Sequence, residues 1–131
     1  MPHYTALVTM LAILFYAYTS VNVGGARVKL GVPAPATTGN PDFERLFRVQ
    51  MNTLEWMPIF LPLLWICAFY VGDAWAAALG VVWVGGRIAY LVGYAASAEK
   101  RGPGFGVQAL ACGALLVADV VAVIARLIHG A

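Results

Sequence analysis

The sequence predicts an all-α membrane protein: a bundle of four transmembrane helices in a single domain, residues 1–131. Three observations carry that prediction. Of the 131 residues, 62% are hydrophobic and 11% charged, against about 25% charge in an ordinary soluble domain. Four apolar runs each reach the roughly 20 residues that a hydrocarbon core of about 30 Å requires of a helix. The first and longest segment between them is rich in Gly, Pro and Thr, a composition that punctuates helices. The net charge of +2, eight basic residues against six acidic, forms no basic stripe of the kind nucleic acid requires, so nucleic acid is set aside as a partner.

The first helix is expected over residues 4–23. It lacks a Lys or Arg ahead of its apolar core and outruns a signal-peptide core, so it reads as a retained span. The stretch GGARVKLGVPAPATTGNPDF that follows reads as a loop. Asn40 then offers an N-cap, Pro41 suits the first helical position, and Asp42 and Glu44 complement the positive helix end, so the second helix is expected over 41–71. Pro58 and Pro62 predict a kink within it. A tight turn at Gly72 and Asp73 makes the third helix, 74–98, antiparallel to the second. The GPGFG stretch at 102–106 lacks the strand and Lys of a phosphate loop and reads as a turn into the fourth helix, 106–128.

Arg27, Lys29, Lys100 and Arg101 place the loops after helices one and three on the cytoplasmic side, with both termini opposite. The host membrane is the inner membrane if the chain is bacterial and the endoplasmic reticulum if it is eukaryotic. Tyr4, Tyr70 and Trp75 suit interfacial anchors. Cys67 and Cys112 sit in apolar runs without C-x-x-C spacing and read as small buried hydrophobes.

The informative anomaly is FERLFRVQMNTLE, residues 43–55, which carries charge into a membrane span. Ionisable groups there mark a functional site by default. At about 100° per residue, Arg45, Arg48, Asn52 and Glu55 share one face while Gln50 points elsewhere. On helix three, Trp83, Arg87, Tyr90 and Tyr94 share a face that, with the helix continued, reaches Arg101. The two stripes suit a polar small molecule bearing both charges: Arg forks a carboxylate, Glu55 accepts an ammonium, and amides and phenols bond peptide groups. The plainer explanation is that Arg45, Arg48 and Arg87 extend to head groups and Glu55 pairs with one of them. Asp119 is expected to pair with Arg126, two turns on, or with a group on another helix. His3 and His129 stand at opposite chain ends, so no metal site is expected.

These residues carry a resemblance. FERLFRVQMNTLEWMPIFLPLLW, the later GRIAYLVGYAASAEKRGPGF, and the ATTG of the first loop resemble the MAPEG family, membrane-associated proteins in eicosanoid and glutathione metabolism. The similarity is greatest to the branch holding leukotriene C4 synthase and the microsomal glutathione transferases. It implies a homotrimer of four-helix subunits that binds glutathione as co-substrate at each subunit boundary, between helices one and two of one subunit and helix three of its neighbour. It further implies that Arg27 binds a glutathione carboxylate, that Arg48, Gln50, Asn52 and Glu55 form the helix-two polar set, that Tyr90 and Tyr94 are the paired tyrosines, and that Arg101 is catalytic, steadying the thiolate. Trp56 is counted with the glutathione-binding residues although it stands where the resembled branch has a tyrosine, and Val28 stands where that branch often has a second arginine. The implied function is an integral membrane glutathione transferase, with peroxidase activity toward lipid hydroperoxides in addition, acting on hydrophobic electrophiles from the bilayer. A non-catalytic lipid-binding scaffold of the 5-lipoxygenase-activating type is the alternative, and an ion pathway through Asp119, Arg126 and Glu55 the third.

Overall fold

A computed structural model of the chain describes residues 1–130. It has four helices, α1 (His3–Leu30), α2 (Pro41–Tyr70), α3 (Asp73–Ala96) and α4 (Gly102–His129), with a 3-10 turn (Ala98–Arg101) between the last two. All four are long and apolar enough to cross a membrane. Large apolar side chains such as Leu7, Leu14, Val92, Leu110 and Leu127 face outward, the surface a lipid solvent favours.

The start of α2 follows its sequence signals. Asn40 is extended, and its side chain accepts from the N–H groups of Asp42 (2.9 Å) and Phe43 (3.2 Å), satisfying donors that a helix start leaves open. α2 then runs unbroken to Tyr70 through Pro58 and Pro62, both of which face outward.

Three boundaries differ from expectation. α1 continues seven residues beyond Val23, through Gly24 and Gly25. Val23 and Ala26 are buried with Phe43 and Val32, and this packing outweighs the poor helix propensity of two glycines. The stop signal is Gly31, at φ 69°, whose N–H bonds the Arg27 carbonyl. α3 ends at Ala96, where Ser97 turns extended. α4 starts at Gly102, so the GPGF stretch is a first helical turn with proline near its start, not a connecting turn.

Glycines let α3 and α4 approach closely. A Cβ on Gly86 would stand 2.7 Å from the Gln108 nitrogen, and one on Gly104 would overlap the backbone of Ala89 and Tyr90. Small residues at such contacts are how membrane helices pack. Farther along the bundle, Phe60 of α2 stacks on Trp83 of α3 with centroids 3.9 Å apart, above Leu64, Cys67 and Leu115.

Asp73 ties the opposite end together. α1 has no side-chain cap of its own, and the Asp73 carboxylate accepts from Thr5 N (2.8 Å), Thr5 Oγ1 (2.7 Å) and Tyr4 N (3.1 Å). An acid at the first residue of α3 thus caps a different helix, where the macrodipole favours negative charge. Asp73→Ala is expected to lower the thermal midpoint of the purified protein in detergent, and Asp73→Asn, which keeps one acceptor, to lower it less. Equal midpoints for all three would remove the cap from the account.

Candidate functional site

At the end of the bundle that carries the 3-10 turn, α2, α3, the turn and α4 border an open-sided cavity of about 460 Å³ lined by Arg48, Asn52, Tyr90, Tyr94, Arg101, Gly102 and Phe105. Each lining element has a local cause. Arg48 and Asn52 are one turn apart on α2, as are Tyr90 and Tyr94 on α3. Arg101 arrives by a different route from the one helical continuation predicts. Because α3 stops at Ala96, the 3-10 turn folds Arg101 back, its Nη1 donating to the Ala98 carbonyl at 2.6 Å and its guanidinium lying 5.6 Å from the Tyr94 ring centre. Gly102 and Phe105 follow on the first turn of α4.

Arg48 donates both Nη groups to Glu55, at 3.0 and 3.2 Å. The two side chains are 47% and 53% exposed, so the pair opens to solvent at low cost. Tyr90 meets Tyr94 edge-to-face at 5.4 Å, and Phe105 lies 6.0 Å from Tyr90. Trp56 packs edge-on against Phe105 at 5.6 Å and backs the wall without lining it. Two arginines against one carboxylate leave the cavity positively biased, a field that suits an anionic ligand.

Other polar residues go elsewhere. Gln50 donates to the Ser20 hydroxyl of α1 at 3.0 Å. Arg27 donates to the Ala36 carbonyl at 2.6 Å and the Val32 carbonyl at 3.3 Å and covers the Phe43 ring, on the α1 side of α2. Arg45 pairs with Asp42. The expected Asp119–Arg126 pair does not form: Asp119 is buried beside Cys67, while Arg126 donates to the Tyr70 carbonyl at 3.3 Å. Arg87, which periodicity places on one α3 face with Trp83, Tyr90 and Tyr94, does not extend to the head groups as the plainer explanation has it; it is fully buried and bonded to Asn52 and Thr53.

Sequence reasoning missed Gly102 and Phe105, read as turn, and the anchoring role of Thr53. The signal for the first was present as Pro103 near a helix start.

The MAPEG family profile matches residues 5–121 of the chain. The chain belongs to the MAPEG family. It is therefore an integral, multi-pass membrane protein. Similar relatives include an uncharacterized protein of Synechocystis sp., 49% identical over 122 residues that cover 93% of this chain and 89% of the relative. Human microsomal glutathione S-transferase 2 is 43% identical over 100 residues, 76% of this chain and 68% of that one. Bovine leukotriene C4 synthase is 43% identical over 96 residues, 73% of this chain and 64% of that one.

Proposed function

We propose that the chain is a membrane glutathione transferase that joins the glutathione thiolate to hydrophobic electrophiles arriving from the bilayer. The observation that carries this reading is the cavity itself. It brings Arg48 with its Glu55 partner, Asn52, the two tyrosines and Arg101 together in a chain 43% identical to microsomal glutathione S-transferase 2. Its volume falls within the about 300–1,000 Å³ of small-molecule sites.

Glutathione is a zwitterionic tripeptide with two carboxylates, an ammonium group and a thiol. Arg48 and Glu55 are matched to a carboxylate and an ammonium that enter together, exchanging one ion pair for two. Asn52, Tyr90 and Tyr94 supply hydrogen bonds to the peptide groups, and Arg101 stands beside the cavity as the cation for the thiolate. Fixing the tripeptide converts encounter with the electrophile into a reaction of two held groups. Attack of the same thiolate on the peroxide of a lipid hydroperoxide breaks its O–O bond, releases the lipid alcohol once protonated and leaves a glutathione sulfenic acid, which a second glutathione converts to the disulfide with loss of water; this gives the peroxidase activity. In this reading the assembly is a homotrimer with the basic loops cytoplasmic. Arg27 and Gln50, which lie away from their own chain's cavity, complete the site of a neighbour.

The test is calorimetric binding of glutathione to the purified protein, followed by conjugation with 1-chloro-2,4-dinitrobenzene. Binding with turnover is the expected result. Binding without turnover favours the lipid-binding scaffold, and absence of binding ends the glutathione reading. Mass measurement in nanodiscs is expected to give three chains, and a stable active monomer would remove Arg27 and Gln50 from the site.

A further inference from the structure

Arg87 lies within a membrane-spanning helix with its side chain fully buried, and among the described residues it has no carboxylate at ion-pair distance. A buried intramembrane cation is costly unless its partners compensate, so the partners it has are informative. Nη1 donates to Asn52 Oδ1 at 2.7 Å and Nη2 to Thr53 Oγ1 at 2.6 Å, a fork onto consecutive residues of α2. The Thr53 hydroxyl gives its own proton to the Val49 carbonyl at 2.7 Å, leaving its oxygen free to accept. The guanidinium also lies 4.5 Å from the centre of the Tyr90 ring. Asn52 and Tyr90 line the cavity, whereas Arg87 stands one layer behind it.

Guanidinium groups carry only donors, so the Asn52 atom that meets Arg87 has to be the carbonyl oxygen. An amide whose oxygen and nitrogen are ordinarily interchangeable is thereby given one orientation. With the oxygen tied back, the group Asn52 has left to offer is its NH₂, which only donates.

We propose that Arg87 is a positioning residue that, by holding Asn52 Oδ1, turns the Asn52 NH₂ into a fixed donor for an acceptor oxygen of the ligand, a carboxylate or a peptide carbonyl. The inference deepens the glutathione reading and rests on it. Without Arg87 the amide can rotate by half a turn and present its oxygen, which repels the same ligand atom. Arg87 thus sets the polarity of one cavity contact without touching the ligand.

Asn52→Asp separates this role from a structural rivet. The shape is kept and Arg87 gains a charged acceptor, but the donor disappears. The expected result is a thermal midpoint at or above wild type with KM for glutathione raised about tenfold or more, the worth of a lost hydrogen bond plus a repelled acceptor, and kcat falling much less. Wild-type KM in a stable Asn52→Asp protein would overturn the proposal. Arg87→Lys, which keeps charge but not the fork, is expected to lie between wild type and Arg87→Met. The losses of Asn52→Ala and Arg87→Met are expected not to add in the double variant, and additive losses would overturn the coupling. A ligand-free readout is available because the chain has three asparagines, Asn22, Asn40 and Asn52. With ¹⁵N-asparagine, the wild type is expected to give one sharp Asn52 NH₂ pair that broadens or splits in Arg87→Met. A heterogeneous wild-type signal overturns the orientation argument whether or not glutathione binds, whereas a sharp signal with no glutathione binding sinks only the choice of ligand.

Discussion

Replacing Arg101 with Ala is expected to lower kcat for conjugation by about a hundredfold or more, the cost of removing one aimed donor from a site that stabilises developing charge, while glutathione stays bound. The chemistry sets the scale. A free thiol with a pKa near 8.5 is only about 3% thiolate at pH 7, so an enzyme that supplies a fixed cation gains most of its nucleophile there. Arg101 fits that task because its guanidinium is held from behind, by the Ala98 carbonyl and the Tyr94 ring, at the edge of the cavity. Arg48 is less suited, since Glu55 already neutralises it. Ultraviolet difference absorbance on mixing protein with glutathione reports the thiolate directly. A signal in the wild type that is lost in Arg101→Ala and partly restored in Arg101→Lys is the expected pattern. The pH–rate profile of Arg101→Ala is expected to shift to the alkaline side, recovering activity as solvent takes over deprotonation. Equal thiolate signals in wild type and Arg101→Ala would take the role away from Arg101.

What could be read from the sequence followed from local rules. The N-terminus of α2 was legible because Asn40, Pro41 and two acids act within one turn, and helical periodicity placed Arg48 with Asn52 and Tyr90 with Tyr94. Tertiary packing decided the rest. α1 passes through Gly24 and Gly25 because Val23 and Ala26 find a partner in Phe43, a residue separated from them by a loop. Periodicity puts Arg87 on one face with Tyr90 and Tyr94, and only the placement of α2 beside α3 gives it Asn52 and Thr53 as partners. Asp119 and Arg126, spaced to suit one helical face, lose each other because Tyr70 offers Arg126 an unpaired carbonyl at the end of α2. Periodicity tells which side chains share a face, but not which of them meets a better partner across the bundle.

The second large effect concerns the contact that closes the cavity from the α4 side. Gly104→Ala is expected to destabilise the protein and abolish glutathione binding, although the substituted position lines no part of the cavity. The added Cβ would fall 2.6 Å from the Ala89 carbonyl carbon and the Tyr90 Cα, backbone atoms that cannot rotate aside as a side chain can. Overpacking of this kind costs about 1–3 kcal/mol, a large part of the roughly 5–15 kcal/mol that holds a domain folded. Relief requires α4 to move off α3, and Phe105, the next residue, moves with it, away from Tyr90 and Trp56. Gly106→Ala is the control, two positions on in the same helix. Nothing lies within 4 Å of a Cβ there, and exchanging Gly for Ala in a helix favours folding by up to about 1 kcal/mol. Thermal midpoints and glutathione Kd are therefore expected to diverge, with Gly104→Ala unstable and unable to bind, and Gly106→Ala equal to or slightly more stable than wild type with unchanged Kd. If the two variants behaved alike, the shape of the cavity would not depend on the close approach of α3 and α4, and Phe105 would have to be held in place by its contact with Trp56 alone.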